Sequence, residues 1–151
     1  MHNAKFVRLV LVLFSLLALT TAPAYATIIK DPINFADYKG KWIVISYWAS
    51  WCSYCMEEVP ELNAFYQSHR NKVVMFGVNY DDGPVTTLSQ RIQASGVMFP
   101  TFAYDPTQYF HFRMGISGLP TTFLIGPDGK LKRILQGPQT KRSLENALGI
   151  Y

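Results

Sequence analysis

The sequence predicts an α/β fold, a mixed β-sheet flanked by helices, and three observations predict it. An unbroken apolar and β-branched run over residues 42–47 has the composition of a strand buried on both faces, and it stops just before Cys52-Ser53-Tyr54-Cys55. A helical stretch over 53–68 separates it from a second such run at 73–79; strand, helix and strand in that order make a parallel pair with a right-handed crossover. Farther on, 121–125 and 131–136 flank Gly126-Pro127-Asp128-Gly129, a tetrapeptide of turn formers that closes an antiparallel hairpin. Parallel strands joined through a helix, together with a hairpin, give one mixed sheet covered on both faces.

Taken in chain order, the first element is a leader. Lys5 and Arg8 precede an apolar run at 9–19 and then Ala24-Tyr25-Ala26, an A-x-A cleavage site. Residues 1–26 therefore read as a secretory signal peptide, and 27–151 as a single domain large enough for one packed core. Retention as a membrane anchor is the weaker alternative, since the apolar run spans about 16 Å as a helix against a hydrocarbon core of about 30 Å. Export puts the chain in an oxidising compartment, a bacterial periplasm being the natural one, and any membrane association depends on the leader being kept.

The formal charge of +4 falls by two without Lys5 and Arg8, and the remaining basic residues are scattered. That pattern excludes a nucleic-acid or membrane-surface signature. An aromatic content of 15% suits a well-filled core.

Pro60 sits inside the 53–68 helix and is expected to kink it. A second helix is expected over 86–94 with Leu88 and Ile92 facing the core, and a last short one over 141–148. The aromatic stretch 109–114, which contains His111, fits either a helix packed under the sheet or the lining of a peptide groove. His69, beside Arg70 and Lys72, complements a helix C-terminus. Asp81 and Asp82 read as loop chemistry after a strand, because paired acids without further ligands make a poor metal site.

Cys52 and Cys55 are the only two cysteines. At the first turn of a helix, Cys52 would lie exposed beside unpaired backbone N–H groups and the positive end of the helix dipole, which favour thiolate; it is the expected nucleophile. Cys55, a turn further in, would be more buried and would resolve a mixed disulfide formed at Cys52. Three other uses of a Cys-x-x-Cys remain to be weighed. Structural zinc needs a second ligand pair, yet His2, His69 and His111 lie far apart. Covalent haem attachment needs His after the second cysteine, where Met56 stands. An inert disulfide closing so short a loop is a weak staple. Glu58 lies three residues beyond Cys55 on the same helical face, where a partly buried carboxyl with a raised pKa would help move the proton of Cys55; a solvated helix-face glutamate like Glu57 or Glu61 is the alternative.

Five ordered motifs carry a family resemblance. Residues 37–45 (Asp37-Tyr38-Lys39-Gly40-Lys41-Trp42-Ile43-Val44-Ile45) and the approach Tyr47-Trp48-Ala49-Ser50-Trp51-Cys52 come first, followed by Cys55-Met56-Glu57-Glu58-Val59-Pro60. Gly77-Val78-Asn79-Tyr80-Asp81-Asp82 and Gly118-Leu119-Pro120-Thr121-Thr122-Phe123-Leu124-Ile125 complete the set. In these the chain resembles the thioredoxin-fold thiol-disulfide oxidoreductases, above all the exported TlpA/ResA/DsbE group. The resemblance implies a thioredoxin-like fold with an inserted helical segment between about residues 80 and 104. It also implies a cis Leu119–Pro120 bond beside the disulfide, with the Leu119 backbone turned toward the cysteines to pair with an extended substrate segment. Trp51 reads as lying against the disulfide and contributing to the docking surface with Leu119 and Pro120, a purely core role being the alternative, and Trp48 reads as core. The group often has a glutamate at the position of Glu58, whereas Ser46 stands where plain thioredoxin has a buried aspartate, so that acid is missing.

The implied activity is reduction of disulfides in cysteine-containing protein substrates through a Cys52/Cys55 dithiol–disulfide cycle. It needs no cofactor and no metal, and an upstream thiol protein supplies the electrons. Cytochrome c maturation is one use known in the group. Two other classes stay open: a thiol oxidase or disulfide isomerase of secreted proteins, and a copper metallochaperone, for which His111 and His69 are the only downstream histidines.

Overall fold

The computed structural model describes residues 26–106 and 116–151. The leader expected over 1–26, apart from Ala26, and the aromatic stretch 109–114 with His111 lie outside the described residues. Within them the strands are β1 (Ile28–Ile29), β2 (Trp42–Trp48), β3 (Val73–Asn79), β4 (Thr101–Phe102), β5 (Thr121–Ile125) and β6 (Leu131–Gln136). The helices are α1 (Ser53–His69), α2 (Leu88–Ser95) and α3 (Lys141–Leu148).

The strands form one sheet in the order β1-β4-β3-β2-β5-β6. The first four are mutually parallel, and the β5–β6 hairpin adds antiparallel to β2. The sheet is thus mixed, as expected from the βαβ unit and the hairpin. Two strands were not foreseen. β1 and β4 are two residues each, too short for any alternation of side chains to show in sequence. The second helix also begins later than residue 86, because Val85–Thr87 is a 3₁₀ turn leading into it.

Alternation along β2 divides the interior in two. Val44 and Trp48 join a cluster that takes Val59, Leu62 and Phe65 from α1, Leu88 and Ile92 from α2, and Leu144 and Leu148 from α3. Ile43, Ile45 and Tyr47 face the other way, where Phe76, Phe102 and Phe123 pack against Ile29, Phe35 and Tyr38 of the N-terminal segment. Both faces are covered, but unequally: the three described helices share one face, and an aromatic 3₁₀ turn, Phe35–Tyr38, helps cover the other.

Gly77, in the middle of β3, is held to hydrogen for side chain by close approach. A Cβ there would sit 2.8 Å from Thr101 Oγ1, 2.9 Å from Phe99 Cε2 and 3.1 Å from Trp48 Nε1, all on fully buried side chains with no room to retreat. Gly77→Ala is expected to cost about 1–3 kcal/mol of stability, the usual range for overpacking, read as a shifted urea midpoint with an unchanged slope.

Register decides where chemistry gathers. Trp48 pairs with Asn79 in the parallel β2–β3 ladder, and Tyr47 with Thr121 in the antiparallel β2–β5 ladder. The loop after β2, the loop after β3 and the segment before β5 therefore meet at one end of the sheet.

Candidate active site

β2 delivers the chain to that end and a tight turn hands it to α1: Cys52 N–H donates to Ala49 O at 3.1 Å. Cys52 is the N-cap of α1, in extended conformation, and its Sγ accepts from the Cys55 backbone N–H at 3.2 Å. The two cysteines are joined in a disulfide. Their exposure is graded as expected, but both are more covered than a freely exposed nucleophile: Cys52 is 7% exposed and Cys55 0%. An incoming sulfur can thus reach Cys52 alone. On reduction, the same N–H and the helix dipole are in place to stabilise a Cys52 thiolate.

Trp51 stands out into solvent at 68% exposure, and Tyr54 on the first turn of α1 at 63%. This excludes a core role for Trp51, while Trp48 is buried. The Leu119–Pro120 peptide bond is cis. Leu119 packs against the cluster that contains both cysteines, and the buried Pro120 offers its carbonyl to Gly137 N–H at 3.0 Å.

Glu58 is not a solvated helix-face glutamate. It is 2% exposed, and its Oε2 accepts from the Gln139 N–H at 2.8 Å. Burial pushes its carboxyl up to about 7, against the smaller lowering effects of the Gln139 N–H and the Ser46 hydroxyl. The Ser46 hydroxyl lies near enough to Glu58 to lower its pKa but not in hydrogen-bonding geometry: Glu58 Oε1, Ser46 Oγ and Thr122 Oγ1 are all buried with no hydrogen-bond partner among the described residues. Ser46 and Thr122 face each other across the β2–β5 ladder, so uncharged hydroxyls replace the missing strand acid and the carboxyl comes from α1 instead. The neighbouring acid, Glu61, accepts from Lys141 N–H at 2.9 Å, so α1 ties down the start of α3 at two points.

Two residues turn out to do more than the sequence revealed. His69, the last residue of α1, also reaches across to Glu145 of α3, with Nε2 2.8 Å from Oε1. Asp81 is not generic loop chemistry: both carboxylate oxygens accept from Ser50 N–H, at 3.1 and 3.0 Å, and Oδ1 accepts from the Ser50 hydroxyl at 2.8 Å. Partial burial pushes the Asp81 carboxyl up. The Asn79 amide, the two Ser50 donors and the Arg91 charge outweigh it and hold the group below its ordinary value. Neither partnership has a local sequence signal, because each joins residues from separate elements.

The comparisons with known proteins agree with this geometry. The profile of the AhpC/TSA family matches residues 19–134. The thiol-disulfide oxidoreductase ResA of Bacillus anthracis is 33% identical over 117 residues, 77% of this chain, and the chain spans 66% of that relative's length. The ResA of Geobacillus thermodenitrificans is 32% identical over 76% of the chain, again with 66% of the relative covered. Among solved structures, StoA from Bacillus subtilis superposes with a TM-score of 0.59 at 26% identity, covering 72% of this chain and 82% of that one. A thioredoxin-family thiol:disulfide interchange protein from Chlorobium tepidum gives 0.66 at 20% identity over 85% of this chain and 96% of its own, a likeness of fold. With its mixed sheet, its Cys-x-x-Cys at the head of α1 and these relatives, the chain belongs to the AhpC/TSA family on a thioredoxin-like fold and is homologous to ResA.

Proposed function

We propose that the protein is an exported thiol-disulfide oxidoreductase that reduces disulfides in cysteine-containing protein substrates. The observation that carries this reading is the asymmetry of the pair: Cys52 caps α1 with a backbone N–H on its sulfur, and Cys55 is sealed behind it. The name of the ResA relatives, thiol-disulfide oxidoreductase, supports it. The leader read in residues 1–26 supports export to a periplasm.

In the forward cycle the Cys52 thiolate attacks one sulfur of the substrate disulfide. A Cys52–substrate S–S bond forms, the substrate S–S bond breaks, and one substrate thiolate leaves. Cys55 then loses its proton, with Glu58 as the acceptor, and attacks Cys52 Sγ. The Cys52–Cys55 bond forms, the second substrate thiolate leaves, and the substrate has gained two electrons. An upstream dithiol protein restores the pair. Trp51, Leu119 and Pro120 are assigned to holding the substrate segment beside Cys52.

The direction of electron flow is tested by the reduction potential of the purified protein in thiol–disulfide buffers. A value below about −200 mV is expected of a reductant that draws on a donor; a value near about −120 mV would make the protein an oxidase and reverse the cycle.

A further inference from the structure

The loop that carries Trp51 and leads into Cys52 is held from outside the Cys motif. Ser50 has its N–H and its hydroxyl both committed to the Asp81 carboxylate. Asp81 Oδ2 also accepts from Asn79 Nδ2 at 2.6 Å, and Asn79 Oδ1 accepts from Arg91 Nη1 at 3.4 Å. Arg91, on α2, further donates through Nη2 to Asp82 O at 2.7 Å. Gly83 completes the seat: its φ of +114° is a conformation open to glycine, and a Cβ there would lie 2.7 Å from Arg91 Nη2. A continuous line of polar contacts thus runs from α2 through the loop after β3 to the residue two before Cys52. Trp51 itself stands out into solvent at 68% exposure.

We propose that Asp81 is a positioning residue for Cys52 and Trp51, its carboxylate clamping Ser50 so that the nucleophile stays seated as the N-cap of α1. The proposal rests on the oxidoreductase reading above. It assigns a task to the α2 segment, which reaches the site through Arg91. Releasing Ser50 lets the 49–52 turn open, and the Cys52 sulfur then spends less time against the Cys55 N–H and the helix terminus that stabilise its thiolate.

The sign of the effect separates positioning from simple charge. Removing a nearby carboxylate would by charge alone make the Cys52 thiolate easier to form, whereas losing the cap makes it harder. In the reduced full-length protein, the pH midpoint for iodoacetamide alkylation of Cys52 is expected to rise in Asp81→Ala by about half a unit, roughly a threefold loss of thiolate at fixed low pH. Asp81→Asn, which lacks the charge but keeps one acceptor for the Ser50 N–H, should rise by less. The kcat/KM for reduction of insulin disulfides should fall in the same order, about tenfold for alanine.

A midpoint that falls or stays put in Asp81→Ala overturns the proposal, as does one that is the same in the two variants. A lowered melting temperature with an unchanged alkylation profile and unchanged kcat/KM would reduce Asp81 to a loop tie and overturn it too. Alkylation is read without any substrate, so a wild-type protein that fails to reduce insulin disulfides would sink the functional reading and leave the positioning test standing.

Discussion

Cys52→Ser is expected to abolish disulfide exchange, lowering the rate by about a thousandfold or more, equivalent to roughly 4 kcal/mol of transition-state stabilisation. Cys55→Ser should behave differently. It leaves the attacking sulfur, its Cys55-position N–H and the helix terminus in place, since the bond to Cys52 Sγ comes from the backbone. The first step then proceeds and the second cannot, so the variant accumulates as a mixed disulfide with substrate. The two outcomes are told apart on a non-reducing gel: a shifted band for Cys55→Ser that thiol reductant removes, and none for Cys52→Ser. The burial order decides this assignment, because Cys55 at 0% exposure cannot be met by a protein substrate while Cys52 covers it. If Cys52→Ser trapped substrate and Cys55→Ser did not, the roles would be reversed.

Glu58→Gln carries the second large effect, and it is visible in stability as well as in rate. Burial lifts the folded-state pKa from the ordinary 4.5 to about 7. Between those values the folded chain binds a proton that the unfolded chain has released. The stability contributed by the protonated carboxyl is therefore fully present below about pH 4.5, falls as pH rises through that window and is gone above about 7, while the rest of the fold's stability remains. A shift of that size corresponds to about 3 kcal/mol. Glutamine keeps an oxygen for the Gln139 N–H and cannot ionise. The oxidised variant is therefore expected to match the wild type near pH 4 and to exceed its stability by about 3 kcal/mol at pH 8.5, measured by urea unfolding at both pH values. In the reaction, the same change should remove the inflection near pH 7 from the rate of substrate reduction and slow it by about a hundredfold, the scale of a lost proton acceptor. A variant whose pH–rate profile overlays the wild type would take Glu58 out of the mechanism.

How much of this could be read from sequence follows the range of each interaction. The apolar run of β2, the turn formers of the β5–β6 hairpin and the Cys-x-x-Cys spacing are local, and each leaves its mark within a few residues. Cys52 and Cys55 were legible because their separation is one helical turn, and Glu58 because it sits one turn farther along the same face. The burial that gives Glu58 its raised pKa was only half legible. Its neighbour Ser46 comes from β2, and its amide partner is Gln139, eighty-one positions away in sequence. Asp81 was visible as an acid after a strand, but its grip on Ser50 exists only because parallel pairing of Trp48 with Asn79 brings the two loops together. β1 and β4 escaped notice for another reason: their pairing, Ile28 with Thr101 and Ile29 with Phe102, is set by the sheet and not by any pattern of their own.

The two rims of the sheet have a bearing on the company this protein would keep. A strand rim with free amides and carbonyls is a template onto which any extended chain can add, and an enzyme of this kind would meet partly unfolded clients with such segments open. Among the described residues one rim, β1, is only two residues long, and the other, β6, carries exposed Lys132 and Arg133 beside a register irregularity at Leu124 and Ile125 of its neighbour. Short length, cations and a broken ladder are the devices that discourage strand addition. Under the function proposed above, they leave the Cys52 end of the sheet as the place where a client would be engaged without being recruited into an aggregate.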